Sequence, residues 1–251
     1  MSIYKTRAVV IKSQDFKEND KLVCFYTEKL GKINAVVRRA KSNKGRYLSL
    51  TLPFCYGEYV FFKGRSMFTL NEGEIIESFQ CFLNDLKMLT YASYAAELVD
   101  ISMQQEESNR ELFKDFVITY YLLKSNACDV DTLMRSFELK VLLHTGYGLN
   151  FDYCCLCRKP IKFSNYINFK YSGGVCENCP KEDGMYISNG TYSALKYLNK
   201  FPLAKINRIN LSEKIKSEVE KVLEVIISQN YSRKPKSINM INLLKRSEKN
   251  G

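Results

Sequence analysis

Four cysteines stand in two pairs, Cys154 with Cys157 and Cys176 with Cys179; two residues separate the members of each pair, and eighteen separate the pairs. A two-residue spacer lets both thiolates of a pair turn toward one ion about 2.3 Å away, and two such pairs complete a tetrahedral shell. The expected ligands are Cys154, Cys157, Cys176 and Cys179, and the expected ion is one structural Zn2+ or an equivalent metal. A shell of four thiolates has no open position for water, so the ion would hold the fold rather than activate a nucleophile. Cys155 doubles the first cysteine and leaves open which of Cys154 and Cys155 is the first ligand. An iron–sulfur centre is the rival use of the same thiols. Gly173-Gly174 is expected to supply the backbone freedom of a knuckle turn, and Pro180 to end it.

A second chemistry-bearing stretch is basic. Between Glu28 and Glu58 there is no acidic residue, while Lys29, Lys32, Arg38, Arg39, Lys41, Lys44 and Arg46 all fall there. Cations without counter-charge along one strand and its following loop form a phosphate-tracking surface, and Lys32, Arg38, Arg39, Lys41, Lys44 and Arg46 are the expected DNA-binding residues. Phe54, Tyr56, Tyr59, Phe61, Phe62 and Phe68 follow; most are expected in a core, with some left to stack on unpaired bases. The acids Asp15, Glu18 and Asp20 read as a solvated turn beside Lys17 and Lys21 rather than as a metal site. A second basic region, Arg233, Lys234, Lys236, Lys245, Arg246 and Lys249, ends the chain.

Composition limits the function further. The 251 residues carry a formal net charge of +11, which favours acidic partners such as nucleic acid. Nine cysteines with no secretory signal point to a reducing compartment, and no run of about 18 apolar residues marks a membrane span, so a cytosolic protein is expected. The single histidine, His144, sits at the end of a helical apolar pattern and reads as an ordinary helix-end residue. Hydrolases that need a positioned imidazole are therefore disfavoured, no phosphate-binding glycine loop of the G-x4-G-K-[ST] type occurs, and no dense acidic cluster resembles a two-metal nuclease. A non-enzymatic binding module is the leading reading. A zinc-containing nuclease, and an RNA-binding or ribosome-associated zinc protein, remain as alternatives.

These residues need elements to position them. Ala8 to Ile11, Leu22 to Tyr26, Ile33 to Val37, Pro53 to Phe62 and Met67 to Ile76 read as five strands, with Gly31 and Gly64 in the turns. Five strands without intervening helices predict a small closed barrel of the OB-fold type. From Cys81 the apolar period becomes helical, with helices expected near 82–98, 113–123 and 131–144, after Ser188, from Ser212 to Ser228 and after Pro235. The expectation is an α+β protein: an OB-fold over residues 1–79, and an all-helical domain over 80–251 with the cysteine knuckle at 154–179.

The runs Arg7-Ala8-Val9-Val10-Ile11, Glu18-Asn19-Asp20-Lys21-Leu22 and Phe25-Tyr26-Thr27 before Lys29-Leu30-Gly31 resemble the N-terminal domain of the RecO family, as does Arg38-Arg39-Ala40-Lys41-Ser42 before Pro53-Phe54. Tyr91-Ala92-Ser93-Tyr94, Phe137-Glu138, Gly146-Tyr147-Gly148 and the four-cysteine knuckle are similar to the rest of that family, so the resemblance covers nearly the whole chain. It implies a bacterial DNA repair and recombination mediator that binds single- and double-stranded DNA and anneals complementary strands. Together with RecR, such a mediator helps load RecA onto DNA coated with single-stranded-DNA-binding protein (SSB). The implied partners are RecR, the acidic C-terminal tail of SSB and, indirectly, RecA, with no membrane and a nucleoid-associated place in the cytoplasm. Docking of the SSB tail on the helical domain would need cations beside an apolar pocket, and Arg135, Leu139 and Lys140 are the candidates. Two departures from the family pattern are Arg158, where many relatives have glycine after the second cysteine, and the doubled Cys155.

Overall fold

A computed structural model describes residues 2–41 and 47–250, the side chains of 248–250 excepted. Five strands, β1 (Ser2–Phe16), β2 (Asp20–Thr27), β3 (Gly31–Val37), β4 (Tyr56–Lys63) and β5 (Phe68–Glu77), close into a barrel in the order β1-β2-β3-β5-β4. All pairings are antiparallel except the short parallel contact of β3 with β5, where Ala35 faces Phe68 and Val36 faces Thr69. This is the OB-type barrel anticipated from the strand count. Alternation along the strands sends Val23, Phe25, Ile33, Ala35, Phe61 and Leu70 into the barrel interior. The fourth strand begins later than the apolar run suggested, because Phe54 turns the chain with a left-handed φ of 71°.

Among the described residues six α-helices follow: α1 (Leu86–Ser102), α2 (Arg110–Ser125), α3 (Val130–His144), α4 (Asn189–Lys200), α5 (Glu213–Asn230) and α6 (Ile238–Asn250). Side-chain capping starts α1, α3 and α4. Asp85 accepts from the Met88 amide, Asp129 from the Thr132 amide and Ser188 from the Thr191 amide. His144 is the last residue of α3. The helical part also contains three short strands that hydropathy did not reveal, β6 (Tyr166–Asn168), β7 (Gly173–Gly174) and β8 (Gly184–Tyr186), in the order β7-β6-β8.

The chain divides into two compact units, residues 1–124 with 235–251, and residues 125–234. The boundary expected at residue 79 falls between β5 and α1, inside the first unit, because the outer side of the barrel is aromatic and helices cover it. Tyr26 packs on Phe113 and Phe116 of α2 at ring distances of 5.7 and 6.0 Å, and its hydroxyl donates to the Asn109 carbonyl at 3.3 Å. Phe54 meets Tyr120 edge to face at 5.9 Å. The C-terminal helix α6 buries Ile241 and returns to α1, where Ser237 donates to the Glu97 carboxylate at 2.8 Å. In the second unit, α3, α4 and α5 pack on one another.

The β2–β3 hairpin turns at Gly31, whose φ is +68° and where an added Cβ would lie 1.9 Å from the Glu107 carbonyl oxygen. Gly146, after α3, also has a positive φ of +87° but faces open space. Gly31→Ala should therefore cost about 1–3 kcal/mol beyond the backbone strain of about 1 kcal/mol expected for Gly146→Ala. Denaturant titration of the two variants checks the difference; equal losses would mean that the segment around Glu107 moves aside.

Candidate metal centre and nucleic-acid interface

The sulfur atoms of Cys154, Cys157, Cys176 and Cys179 all lie within 4.8 Å of one another. A tetrahedral shell with bonds of about 2.3 Å requires sulfurs about 3.8 Å apart, and Cys157 Sγ stands 3.7 Å from Cys176 Sγ. The cluster can therefore hold one metal ion. Cys155 is turned away: its buried thiol donates to the Gly173 carbonyl at 3.7 Å. Of the two adjacent cysteines, Cys154 is the one the fold brings into the cluster.

Local backbone geometry makes this arrangement. The Arg158 amide donates to the Cys154 carbonyl at 3.0 Å, closing the first turn, and Arg158 itself sits at φ 62°. That left-handed position accounts for glycine being favoured after the second cysteine of such a turn. In the second pair the Cys179 amide donates to the Cys176 carbonyl at 3.3 Å. Gly173 and Gly174 serve a different purpose from the one expected. Neither has a positive φ; both lie in β7. A Cβ on Gly174 would crowd Tyr192, Ile161 and Ser164 at 2.9–3.0 Å, and one on Gly173 would crowd Asn150 and Cys155 at 3.0 Å. Close packing excludes side chains there.

The electrostatics set Cys154 apart from its neighbour Cys155. Burial pushes the Cys154 thiol up, but amide groups of Cys157, Cys176 and Leu156 outweigh it and hold the thiol at about 6. The Cys176 amide lies 3.4 Å from Cys154 Sγ. Cys155 is pushed up to about 11 by burial and by the neighbouring Cys154 charge. Cys179, hydrogen-bonded to Cys176 and Cys157, is pushed up to about 12. Such sharing of protons among crowded sulfurs is what a divalent cation replaces.

The basic stretch divides into residues with different environments. Arg38 and Arg39, just past β3, are exposed. Lys41 is half-buried and pairs with Asp15 at 2.8 Å. Lys44 and Arg46 lie outside the described residues. Lys32 departs from the expectation: it is buried, and its ammonium group donates to the Asp100 carbonyl and pairs with the Asp100 carboxylate at 3.1 Å. It joins the barrel to α1 and is not open to phosphate. Tyr59 and Phe61 are fully enclosed, Phe54, Tyr56 and Phe68 are nearly so, and Phe62 is half-buried. The barrel core takes up Tyr59, Phe61 and Phe68, while helical aromatics cover Phe54 and Tyr56.

Two acids that read as solvated have structural work. Asp20 accepts from the Arg39 amide at 3.0 Å, fixing Arg39 at φ 54°, while Asp15 holds Lys41. The β2–β3 register places Lys21 opposite Val37, so the β1–β2 turn and the Arg38-Arg39 corner share one end of the barrel. Exposed Lys17, in that turn, belongs to the same end. Its signal in the sequence was the spacing of Asp15, Asp20 and the cations around them.

The proposed tail-docking residues are placed otherwise than expected. Arg135, Leu139 and Lys140 are all buried in α3; Arg135 pairs with Glu138 at 3.0 Å and the Lys140 ammonium donates to the Asn199 carbonyl at 2.9 Å. A helix enclosed over residues 132–142 presents no open edge to a peptide.

Known proteins agree with this architecture. The family model described as recombination protein O N terminal matches residues 1–79, and recombination protein O C terminal matches residues 83–238. The chain is 54% identical over 245 residues to the DNA repair protein RecO of Clostridium acetobutylicum, covering 98% of this chain and 99% of that protein. It is 50% identical over 250 residues to the protein of that name from Clostridium novyi, covering 100% and 98%. At 27% identity it still aligns with 98% of its length to the Caldicellulosiruptor saccharolyticus protein of that name.

Cys155→Ser should leave one bound metal per chain, whereas Cys154→Ser should lose it, as elemental analysis of the purified variants would read; equal losses would mean that the adjacent cysteines share the role. Arg158→Gly should relieve a strain of about 1 kcal/mol and raise the melting midpoint by about 2–4 °C, while Arg158→Val should lower it. Calorimetry of the metal-loaded protein checks both.

Proposed function

The chain belongs to the RecO family of DNA repair proteins, and from that membership we propose that it is a repair and recombination mediator that binds DNA and carries out no covalent reaction of its own. The observation that carries the reading is an OB-type barrel with exposed Arg38 and Arg39 at one end, where Asp20 accepts from the Arg39 backbone amide. Cations on such a barrel neutralise phosphates of single or double strands with little regard for sequence. Neutralised complementary strands repel each other less, which lowers the barrier to annealing. In the proposed pathway the protein acts with RecR, meets SSB through its acidic tail, and helps load RecA onto the coated strand. Its place of action would be the bacterial cytoplasm; among the described residues no helix is long and apolar enough to cross a membrane.

We assign the cysteine cluster to one zinc ion held by Cys154, Cys157, Cys176 and Cys179. When bound, the ion supplies four metal–sulfur bonds that tie the two knuckle turns together, and structural zinc of this kind contributes about 10–16 kcal/mol to folding in small knuckles. Of the DNA residues, Arg38 and Arg39 carry the proposal; Lys41, paired with Asp15, and Lys44 and Arg46 follow them in the sequence.

Annealing of complementary strands coated with SSB should be accelerated by this protein in the presence of RecR, and no acceleration would remove the mediator reading. Arg38→Glu with Arg39→Glu should weaken single-strand binding and flatten its salt dependence by about 1.4 in log–log slope, two contacts at about 0.7 each. Fluorescence anisotropy across a salt series reads the slope; an unchanged slope would move the contact off this corner.

A further inference from the structure

One face of α4 is largely open to solvent. Ser193, Lys196, Tyr197 and Lys200 recur at helical spacing on it, opposite the buried Tyr192, Leu195 and Leu198. With Phe201 and Pro202 they line a cavity of about 460 Å³, within the range of small-ligand sites. Its floor is aromatic: the Tyr197 ring stands 4.9 Å from that of Phe201 at an angle of 31°, and Tyr197 is 54% exposed. Its rim is cationic. Lys196 and Lys200 both pair with Asp152 at 2.9 Å, so two ammonium groups are held by one carboxylate and one positive charge is left over. Residues 151–152 position this rim, since the Tyr192 hydroxyl and the Lys196 ammonium both donate to the Phe151 carbonyl, at 2.8 and 3.2 Å.

We propose that this cavity is a binding site for one nucleotide of a single strand, its base lying on the exposed Tyr197 ring and its phosphate on Lys196 and Lys200. A flat heteroaromatic base matches the tilted aromatic floor and excludes water from both surfaces, while a phosphate completes the charge that Asp152 leaves unbalanced. Any base can stack, so the site is indifferent to sequence. A nucleotide carries its flat ring and its phosphate in one unit, whereas an acidic peptide must bring a ring and a carboxylate from separate groups. The proposal goes beyond the barrel corner and rests on the reading that this protein handles single strands.

The test uses the full-length, metal-loaded chain and a short fluorescein-labelled oligothymidylate, with a 5-iodouracil version for photocrosslinking. Tyr197→Ala should weaken binding by about 5- to 100-fold. Tyr197→Phe, which keeps the ring, should bind within about 2-fold of the parent, a rescue that the loss of a merely structural hydroxyl would not give. Lys200→Glu should weaken binding and reduce its salt dependence, and the crosslink should map to Tyr197 or Phe201. Wild-type affinity in Tyr197→Ala, with crosslinks confined to the barrel, would overturn the proposal while leaving the mediator reading intact. Absence of single-strand binding by the parent protein would remove both. Binding of an acidic peptide that depends on Tyr197, with oligonucleotide binding that does not, would reassign the cavity to a protein partner.

Discussion

Four thiols within 4.8 Å of one another cannot all ionise unless a cation neutralises them, and the second unit is arranged around that constraint. The opposed protonation of Cys154 and Cys179 expresses it: one sulfur is drawn toward thiolate by amides, and another is driven to keep its proton. Around the cluster the backbone has no room to spare. β7 can pass only because Gly173 and Gly174 carry no side chains, and its neighbour Tyr192 anchors α4 to the residues just before Cys154. Loss of the cation would thus reach beyond the knuckle turns to α4.

The first unit depends on covering a barrel. A five-stranded barrel buries one side of each strand in its interior, but Tyr26, Phe54 and Tyr56 leave an aromatic exterior that water does not solvate well. Helices α1 and α2 cover it, and α6 returns from the chain's far end to join them. The cost falls on Lys32, which lies on this covered side and is enclosed; its charge is tolerable there because Asp100 supplies both a carboxylate and a carbonyl. At the uncovered corner Arg38 and Arg39 remain open to solvent.

Most elements were legible from local signals: strand-length apolar runs between turn glycines in the barrel, helical spacing in α2 and α3, a long apolar run in α1, and caps or a proline start for the last three helices. The cysteine set was legible because its spacing encodes its geometry. What sequence could not give are pairings between distant residues. Lys32 finds Asp100, and Lys140 finds the Asn199 carbonyl, so a row of cations in sequence does not translate into a row of exposed cations. Arg135, Leu139 and Lys140 looked like one amphipathic edge, yet α3 is enclosed on nearly every side. The short strands β6 to β8 escaped notice because two- and three-residue ladders carry no periodic signal.

The dispersal of cations bears on how the proposed mediator would work. Seven neighbouring cations acting as one surface would give a single-strand salt slope of about −4.9, a grip that binds tightly at low salt and releases poorly. With Lys32 enclosed and Lys41 engaged by Asp15, the described part of the stretch leaves Arg38 and Arg39 as the open charges at the end of β3, with Lys29 exposed before its start. Two phosphate contacts alone hold a strand weakly and exchange quickly. A protein that must seat a strand, present it to its complement or to another protein and then let go is better served by several weak, separate contacts than by one strong one. Their affinities combine while the strand is engaged on all of them and are lost in steps as it is handed on.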